Sequence, residues 1–330
     1  MDNKKRFLFL GAAGLFLLSA VLSLCFGAVS LSLQELAEAV VTGPATPAGQ
    51  IFWFSRLPRT CACALAGGAL SCSGCILQSV LGNKLASPSI IGVNAGAGLA
   101  VTLCCALGGL SGWVIAFSSF GGAMAAVFAV VILAQKTGAS RTTVILSGIA
   151  MNSILNALRD AVTILVPETA MLSSEFRVGD FSSVVTTRLV PASALILIAL
   201  LAVFSLCSEL DVLSLGEETA QSLGLPVKKT RTVFLFLAAL LAGASVSFAG
   251  LLGFVGLLVP HMARRFVGSE SRLLLPFSTL LGAGFVTMCD LISRLVFAPY
   301  ELPVGILMSV IGGPFFLILL LKRKGGHAYA

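Results

Sequence analysis

Cys61, Cys63, Cys72 and Cys75 share one apolar run, and the last two form a C-x-x-C pair. That spacing can hold a metal ion or cycle between thiol and disulfide. Either chemistry wants a second Cys or His pair at ligand spacing, and none accompanies it. The chain has nine cysteines, mostly inside apolar runs, where a thiol serves as a small side chain for close helix contact. His261, in "VPHMARR", invites comparison with a haem or metal ligand, yet the only other histidine is His327 in the tail. His261 and Arg264 read better as caps on a helix end or as contacts to a partner. No catalytic group, cofactor or metal site is expected.

A second set of chemistry-bearing residues lies in "SLGEETAQSLGLPVKKTR", Ser214 to Arg231, which looks like soluble protein. A short helix is predicted from Glu217 to Leu223. Glu217 and Glu218 complement its dipole, and Gly224 closes it ahead of Pro226 and the basic pair Lys228–Lys229. A third set is the stripe Asn152, Asn156, Arg159 and Thr163, at steps of four, three and four along one helix face. Polar groups in lipid face protein or water, so this stripe either lines a pathway or makes buried structural hydrogen bonds. Asp160 points about 100° away from Arg159, so the two need not pair.

The elements that carry these residues are apolar. Of 330 residues, 57% are hydrophobic and 11% charged, with a mean hydropathy of +1.03. Soluble domains hold about 25% charged residues, so the chain reads as an all-α membrane protein, one transmembrane domain over 1–330. A hydrocarbon core of about 30 Å takes about 20 residues of helix. Ten spans are predicted, near 7–28, 58–81, 90–109, 113–134, 142–166, 190–207, 232–250, 254–267, 273–296 and 304–321. The first follows Lys4, Lys5 and Arg6 as a signal peptide would, but its apolar run is long and its cleavage site indifferent, so it is expected to be retained.

Lysine and arginine placement orients the spans. With the N-terminus in the cytoplasm, fifteen of the 21 basic residues lie inside, and Glu35, Glu38, Glu168, Glu175, Asp180 and Glu301 lie outside. Both termini and the loop 209–231 are then cytoplasmic, in a multi-pass protein of the cell membrane. The net charge of +7 serves orientation, and no nucleic acid is implied. "LAGGALSCSG" (Leu65 to Gly74) and "LAGASVSFAG" (Leu241 to Gly250) share Leu-Ala-Gly, a following Ser and a closing Gly. They lie five spans apart and so run in opposite directions, the inverted repeat of many transporters. Pro88, Pro260, Pro303 and Pro314 cluster at span ends and mark breaks where freed backbone can face a cavity.

Three long stretches carry a family resemblance. "RLPRTCACALAGGALSCSGCILQSVLGNKLASPSIIGVNAGAG" (Arg56 to Gly98), "GLLGFVGLLVPHMARRFVG" (Gly250 to Gly268) and "ELPVGILMSVIGGPFFLILLLKRK" (Glu301 to Lys324) resemble, in order, the signatures of the FecCD-type permeases. These are membrane subunits of ABC importers for ferric siderophores, haem and cobalamin. Lys84 departs from the proline usual in the family's N-P-L-A pattern, and cysteines replace small residues in span two. The resemblance implies a BtuC-like type II importer fold with ten spans, a second copy forming one pathway at the dimer interface, two cytoplasmic ATPase subunits and an external binding protein. It also implies that Glu217, Ala220 and Gly224 approximate the Glu-x-x-Ala-x-x-x-Gly core of a coupling loop. Arg56, Arg59 and Arg294 match positions at which such binding proteins dock. Local neutralisation is the alternative, since Arg294 stands at i, i+4 from Asp290. Asn83, Leu85, Thr142 and Thr143 could constrict the cytoplasmic exit by position.

The chain lacks a G-x-x-x-x-G-K-[ST] phosphate loop, so another subunit must handle nucleotide. An ion-coupled secondary transporter is the rival class. It would need intramembrane carboxylates, and Asp160 and Asp290 both lie near the outer side. A metal chelate is the expected cargo, with siderophore, haem and corrinoid left open.

Overall fold

The computed structural model describes residues 3–324 apart from 28, 30, 137–139, 297 and 299; His327 lies outside the described residues. In chain order the helices are α1 (Asn3–Cys25), α2 (Leu33–Thr42), α3 (Pro47–Ile51), α4 (Leu57–Val80), α5 (Val93–Ala106), α6 (Gly112–Lys136), α7 (Arg141–Leu165) and α8 (Glu168–Leu172). They continue as α9 (Ser174–Val178), α10 (Thr186–Ser205), α11 (Cys207–Ser214), α12 (Glu217–Ser222), α13 (Val227–Ala249), α14 (Val255–Val267), α15 (Ser271–Leu295) and α16 (Val304–Lys324). Ten are long, and each starts and ends within about five residues of an expected span. The chain is an all-α, multi-pass membrane protein. No strand occurs among the described residues.

Six helical stretches are long and apolar enough to cross a membrane: α1, the continuous run Pro47–Val80, α6, α10, α13 and α15. The other four long helices fall short for separate reasons. The helices α5 and α14 follow breaks and have 14 and 13 residues, the described apolar part of α16 is Val304–Ile318, and α7 carries the polar stripe. The run before α4 was not anticipated. Residues 52–56 are wound as a π-helix that leads into α4 without interruption, an arrangement that leaves no periodicity signal.

Helix α4 stands at the centre, packed against α13, α14 and α15. Its small residues make this closeness possible. The Ser71 hydroxyl donates to the Ser278 carbonyl of α15 at 2.8 Å, and Ser73 donates to Ala238 of α13 at 2.7 Å. A Cβ at Gly67 would strike the Gly282 backbone, and one at Gly74 would strike Gly256. The nine cysteines are free thiols; Cys61 is exposed and the other eight are buried among such contacts.

The inverted repeat is visible in the packing. The first half is α1 and α4–α7, and the second is α10 and α13–α16. Helix α4 lies against α15 as α13 lies against α6, while α4 and α13 meet each other. The repeated glycines occupy equivalent places: Gly67 faces α15, and Gly243 faces Phe120 and Ala123 of α6.

Candidate functional site

The polar segment folds as two short helices at the end of the bundle that carries Lys84, Lys228, Lys229 and Arg272, here termed the basic end. Helix α12 stops at Ser222, a residue earlier than expected, with Leu223 as its cap. Gly224 follows at φ +83°, a left-handed conformation that suits glycine. Its amide bonds to the Gln221 carbonyl at 2.9 Å and the Leu225 amide to Ala220 at 3.0 Å. Together they make a Schellman closure. Ala220 is fully buried, Glu217 is ion-paired to the buried Arg231 of α13, and Glu218 is exposed. Leu215 and Leu223 are 61% and 62% exposed on the outward side. The segment is thus anchored by one face and offers apolar side chains on the other.

Three further bonds tie this segment to the bundle. Arg141, in the first turn of α7, donates to the Leu213 carbonyl at the end of α11 at 2.8 Å. Its guanidinium also covers Gly82, the residue at which the chain leaves α4. Asp211 accepts from the Ser271 amide at 2.9 Å and so caps α15 from a distance. Arg272 donates to Ser208 at 3.2 Å. Arg141 and Asp211 were not singled out by sequence reasoning. A cation in the first turn of a helix opposes the dipole, and that anomaly was the available signal for Arg141.

Two breaks interrupt the helical body. The first, residues 81–92, ends on Gly92 (φ +95°), and the second, residues 250–254, ends on Phe254 (φ +63°). Phe254 is the one described residue other than glycine with positive φ. Its ring lies directly on Gly312 of α16, where a Cβ would overlap it. The Asn152 amide donates to the Ser89 carbonyl at 2.8 Å and to Ile90 at 3.2 Å. Asn152 lies about 17 Å along α7 from its start, so irregular backbone reaches well into the membrane and is satisfied by a side chain. Asn152 therefore acts through structural hydrogen bonds, the second of the two roles expected for the stripe.

The rest of the stripe is more open. Asn156 is half-buried, and Thr163 donates to the Arg159 carbonyl at 3.0 Å. Arg159 pairs with Asp160 at 2.8 Å, a contact the sequence left open. The two Cα–Cβ vectors diverge, but the long guanidinium stem bends round. That stem also runs beside Gly98 of α5. A cavity of about 640 Å³ opens where the two breaks approach each other, lined by Asn94, Arg177, Leu251, Gly253, Gly305 and Ser309 among others. Asn94, Arg177 and Ser309 were not anticipated.

At the basic end, Asn83 accepts the Leu85 amide at 2.9 Å in an Asx turn, and both residues are half-buried. Thr142 is exposed, and Thr143 shares a 2.7 Å hydroxyl contact with Ser140, the N-cap of α7. The contact of Arg141 with Gly82 brings these four residues to one region. Arg264 turns inward, donating to Gln78, to the Cys75 carbonyl at 3.4 Å and to Ser79 at 3.3 Å. These bonds hold Arg264 against the last two turns of α4. His261 is half-buried with its ring edge-on to Phe315 at 6.3 Å.

At the opposite end the three arginines are buried, and Arg59 and Arg294 make the local ion pairs that were the alternative to docking. Arg56, Arg59 and Arg294 are 5%, 8% and 5% exposed. Arg59 grips Asp290 at 3.0 Å and Glu301 at 2.6 Å, and Arg294 lies 3.1 Å from the other Asp290 oxygen. Arg294 also donates to Ser23 at 2.7 Å, and Arg56 donates to the Leu24 carbonyl at 2.5 Å and to Val29. The fully buried Asp290 draws both guanidiniums inward, because an unpaired carboxylate there would cost several kcal/mol. The cluster staples α1, α4, α15 and the approach to α16.

Comparison with known proteins agrees with this architecture. The chain is 35% identical to the iron-uptake system permease protein FeuB of Bacillus subtilis, over 94% of this chain and 93% of that one. It is also 35% identical to the cobalamin import system permease protein BtuC of Halobacterium salinarum, over 82% of this chain and 73% of that one. A solved structure described as an inward-facing conformation of a metal-chelate type ABC transporter superposes with a TM-score of 0.85. It shares 28% identity and covers 95% of this chain and 98% of its own. The model of the FecCD transport family matches residues 15–322. With ten long helices in an inverted repeat and a match over nearly its whole length, the chain belongs to the FecCD transport family and is a transport permease subunit.

Proposed function

We propose that two copies of this chain form the membrane channel of an ABC importer for a metal chelate, with the pathway between them opening alternately to each side. The basic end faces the cytoplasm, as lysine and arginine bias requires, and both termini lie there. Two ATPase subunits seat on α12, and a binding protein delivers cargo at the opposite end. The observation that carries this reading is the α11–α12 segment. Its inner face is bonded to α7, α13 and α15, and its outer face exposes Leu215 and Leu223. A surface of this kind can receive displacement from a nucleotide-driven partner and pass it to three helices at once.

The open part of the α7 stripe (Asn156, Arg159, Thr163) and the cavity lined by Asn94, Arg177 and Ser309 form the pathway wall in this reading. Asn83, Leu85, Thr142 and Thr143 sit at its cytoplasmic mouth. Names of relatives that handle iron and cobalamin favour a chelated metal as cargo. The test is reconstitution in proteoliposomes with the ATPase and binding protein encoded beside the chain. Uptake of a ferric chelate that requires ATP supports the proposal. Uptake driven by an ion gradient without the ATPase overturns it.

A further inference from the structure

The face where α6 and α13 meet carries a groove that the transport reading leaves unused. Met124, Val127, Phe128 and Val131 of α6 oppose Val233 and Phe236 of α13 around about 700 Å³. Phe128 and Phe236 remain 66% and 52% exposed. At the basic end the groove opens into a second hollow of about 460 Å³, lined by Gln135, Lys228, Lys229, Thr232 and Val233. Three residues, Gln135, Thr232 and Val233, line both. The Gln135 amide donates to the Thr232 hydroxyl at 3.2 Å, so polar chemistry begins at that level. Among the described residues, no carboxylate lines either hollow.

The dimensions match a lipid. Gln135 and Met124 are eleven residues apart on α6, about 17 Å of helix. One leaflet of a hydrocarbon core is about 15 Å deep. The apolar groove is therefore one leaflet tall, and the two lysines stand where headgroups lie. A second copy is a poor occupant, because a two-fold axis along the membrane normal would bring the lysine pairs of both copies into one interface at the same depth. We propose that this is a binding site for one anionic phospholipid. Its acyl chain lies in the α6–α13 groove, and Lys228 and Lys229 hold its phosphate. A zwitterionic lipid fills the groove but gains little from the lysines.

Native mass spectrometry of the purified full-length protein tests this, with phosphatidylglycerol and phosphatidylcholine of identical chains. Each basic residue near such a headgroup is worth roughly fivefold in affinity, so the preference for phosphatidylglycerol should approach about thirtyfold at low salt. It should shrink as salt rises. Lys228→Gln with Lys229→Gln should bring the two lipids near parity without changing the melting temperature. Val233→Trp, which fills the groove at a half-exposed position, should lower retention of both lipids. Equal retention by the wild type overturns the proposal, and so does an unchanged preference in the double variant. Undiminished retention in Val233→Trp together with competition by inorganic phosphate also overturns it, since that marks a surface anion without an acyl site.

Discussion

The Arg141 guanidinium reaches the Leu213 carbonyl at 2.8 Å, joining the first turn of the polar-striped helix α7 to the last turn of α11. A charge-assisted hydrogen bond of this kind is worth about 1.5–3 kcal/mol. It gives the α11–α12 segment a direct hold on the helix read as the pathway wall. Arg141→Ala should lower coupled uptake by about tenfold or more while the ATPase still binds. Arg141→Lys, which keeps one donor, should fall between. Uptake and ATPase rates measured together on the reconstituted transporter check this, and wild-type uptake in Arg141→Ala would refute it.

Leu223 tests the outer side of the same segment. Leu223→Asp leaves every internal bond of α12 in place, since the side chain is 62% exposed. The melting temperature should hold, and co-purification of the ATPase should drop by an order of magnitude or more, as for loss of an interface anchor. Unchanged assembly would exclude Leu223 from the contact.

The cluster around Asp290 should behave as a stability element. Arg59→Ala leaves a fully buried carboxylate with Arg294 alone, at a cost of about 3 kcal/mol. Arg59→Met combined with Asp290→Leu should recover much of that loss, because a hydrophobic pair removes the unpaired charge. Thermal melting in detergent distinguishes this from a docking role. Docking alone would lower affinity for the binding protein and leave melting unchanged.

Asn152→Leu should unpair the Ile90 carbonyl inside the membrane and leave Ser89 with only the Gly92 amide at 3.3 Å, at a cost of about 1–3 kcal/mol. Asn152→Asp should fail as well, since a carboxylate brings no N–H donor. A melting temperature equal to wild type in either variant would show that another group takes over.

Gly74→Ala should be severe. Its Cβ would enter the Gly256 backbone, so α4 and α14 must separate, at about 1–3 kcal/mol or more. Gly121→Ala, where a Cβ meets open space, is the matched control and should melt as wild type.

The ten long helices were legible because hydrophobic length, charge bias and proline placement all marked the same boundaries. The segment from Ser214 to Arg231 stood out because polar sequence in an apolar chain demands a reason, and even its closing glycine was readable. Other features were not. The stripe on α7 announced polar chemistry, but Asn152 turns to the first break while Asn156 does not, and only the path of residues 81–92 decides that. Arg56, Arg59 and Arg294 looked like surface cations because Asp290 and Glu301 are 231 and 242 residues from Arg59 in sequence. Arg159 and Asp160 seemed divergent because backbone direction was considered without side-chain reach.

Gly74 belongs to the first half of the inverted repeat and Gly256 to the second, and only hydrogen atoms separate their backbones. With no side chain between them, α4 and α14 approach there as closely as their backbones allow. A methyl group at either position would pry the two halves apart, so their contact is seated in what these two residues lack.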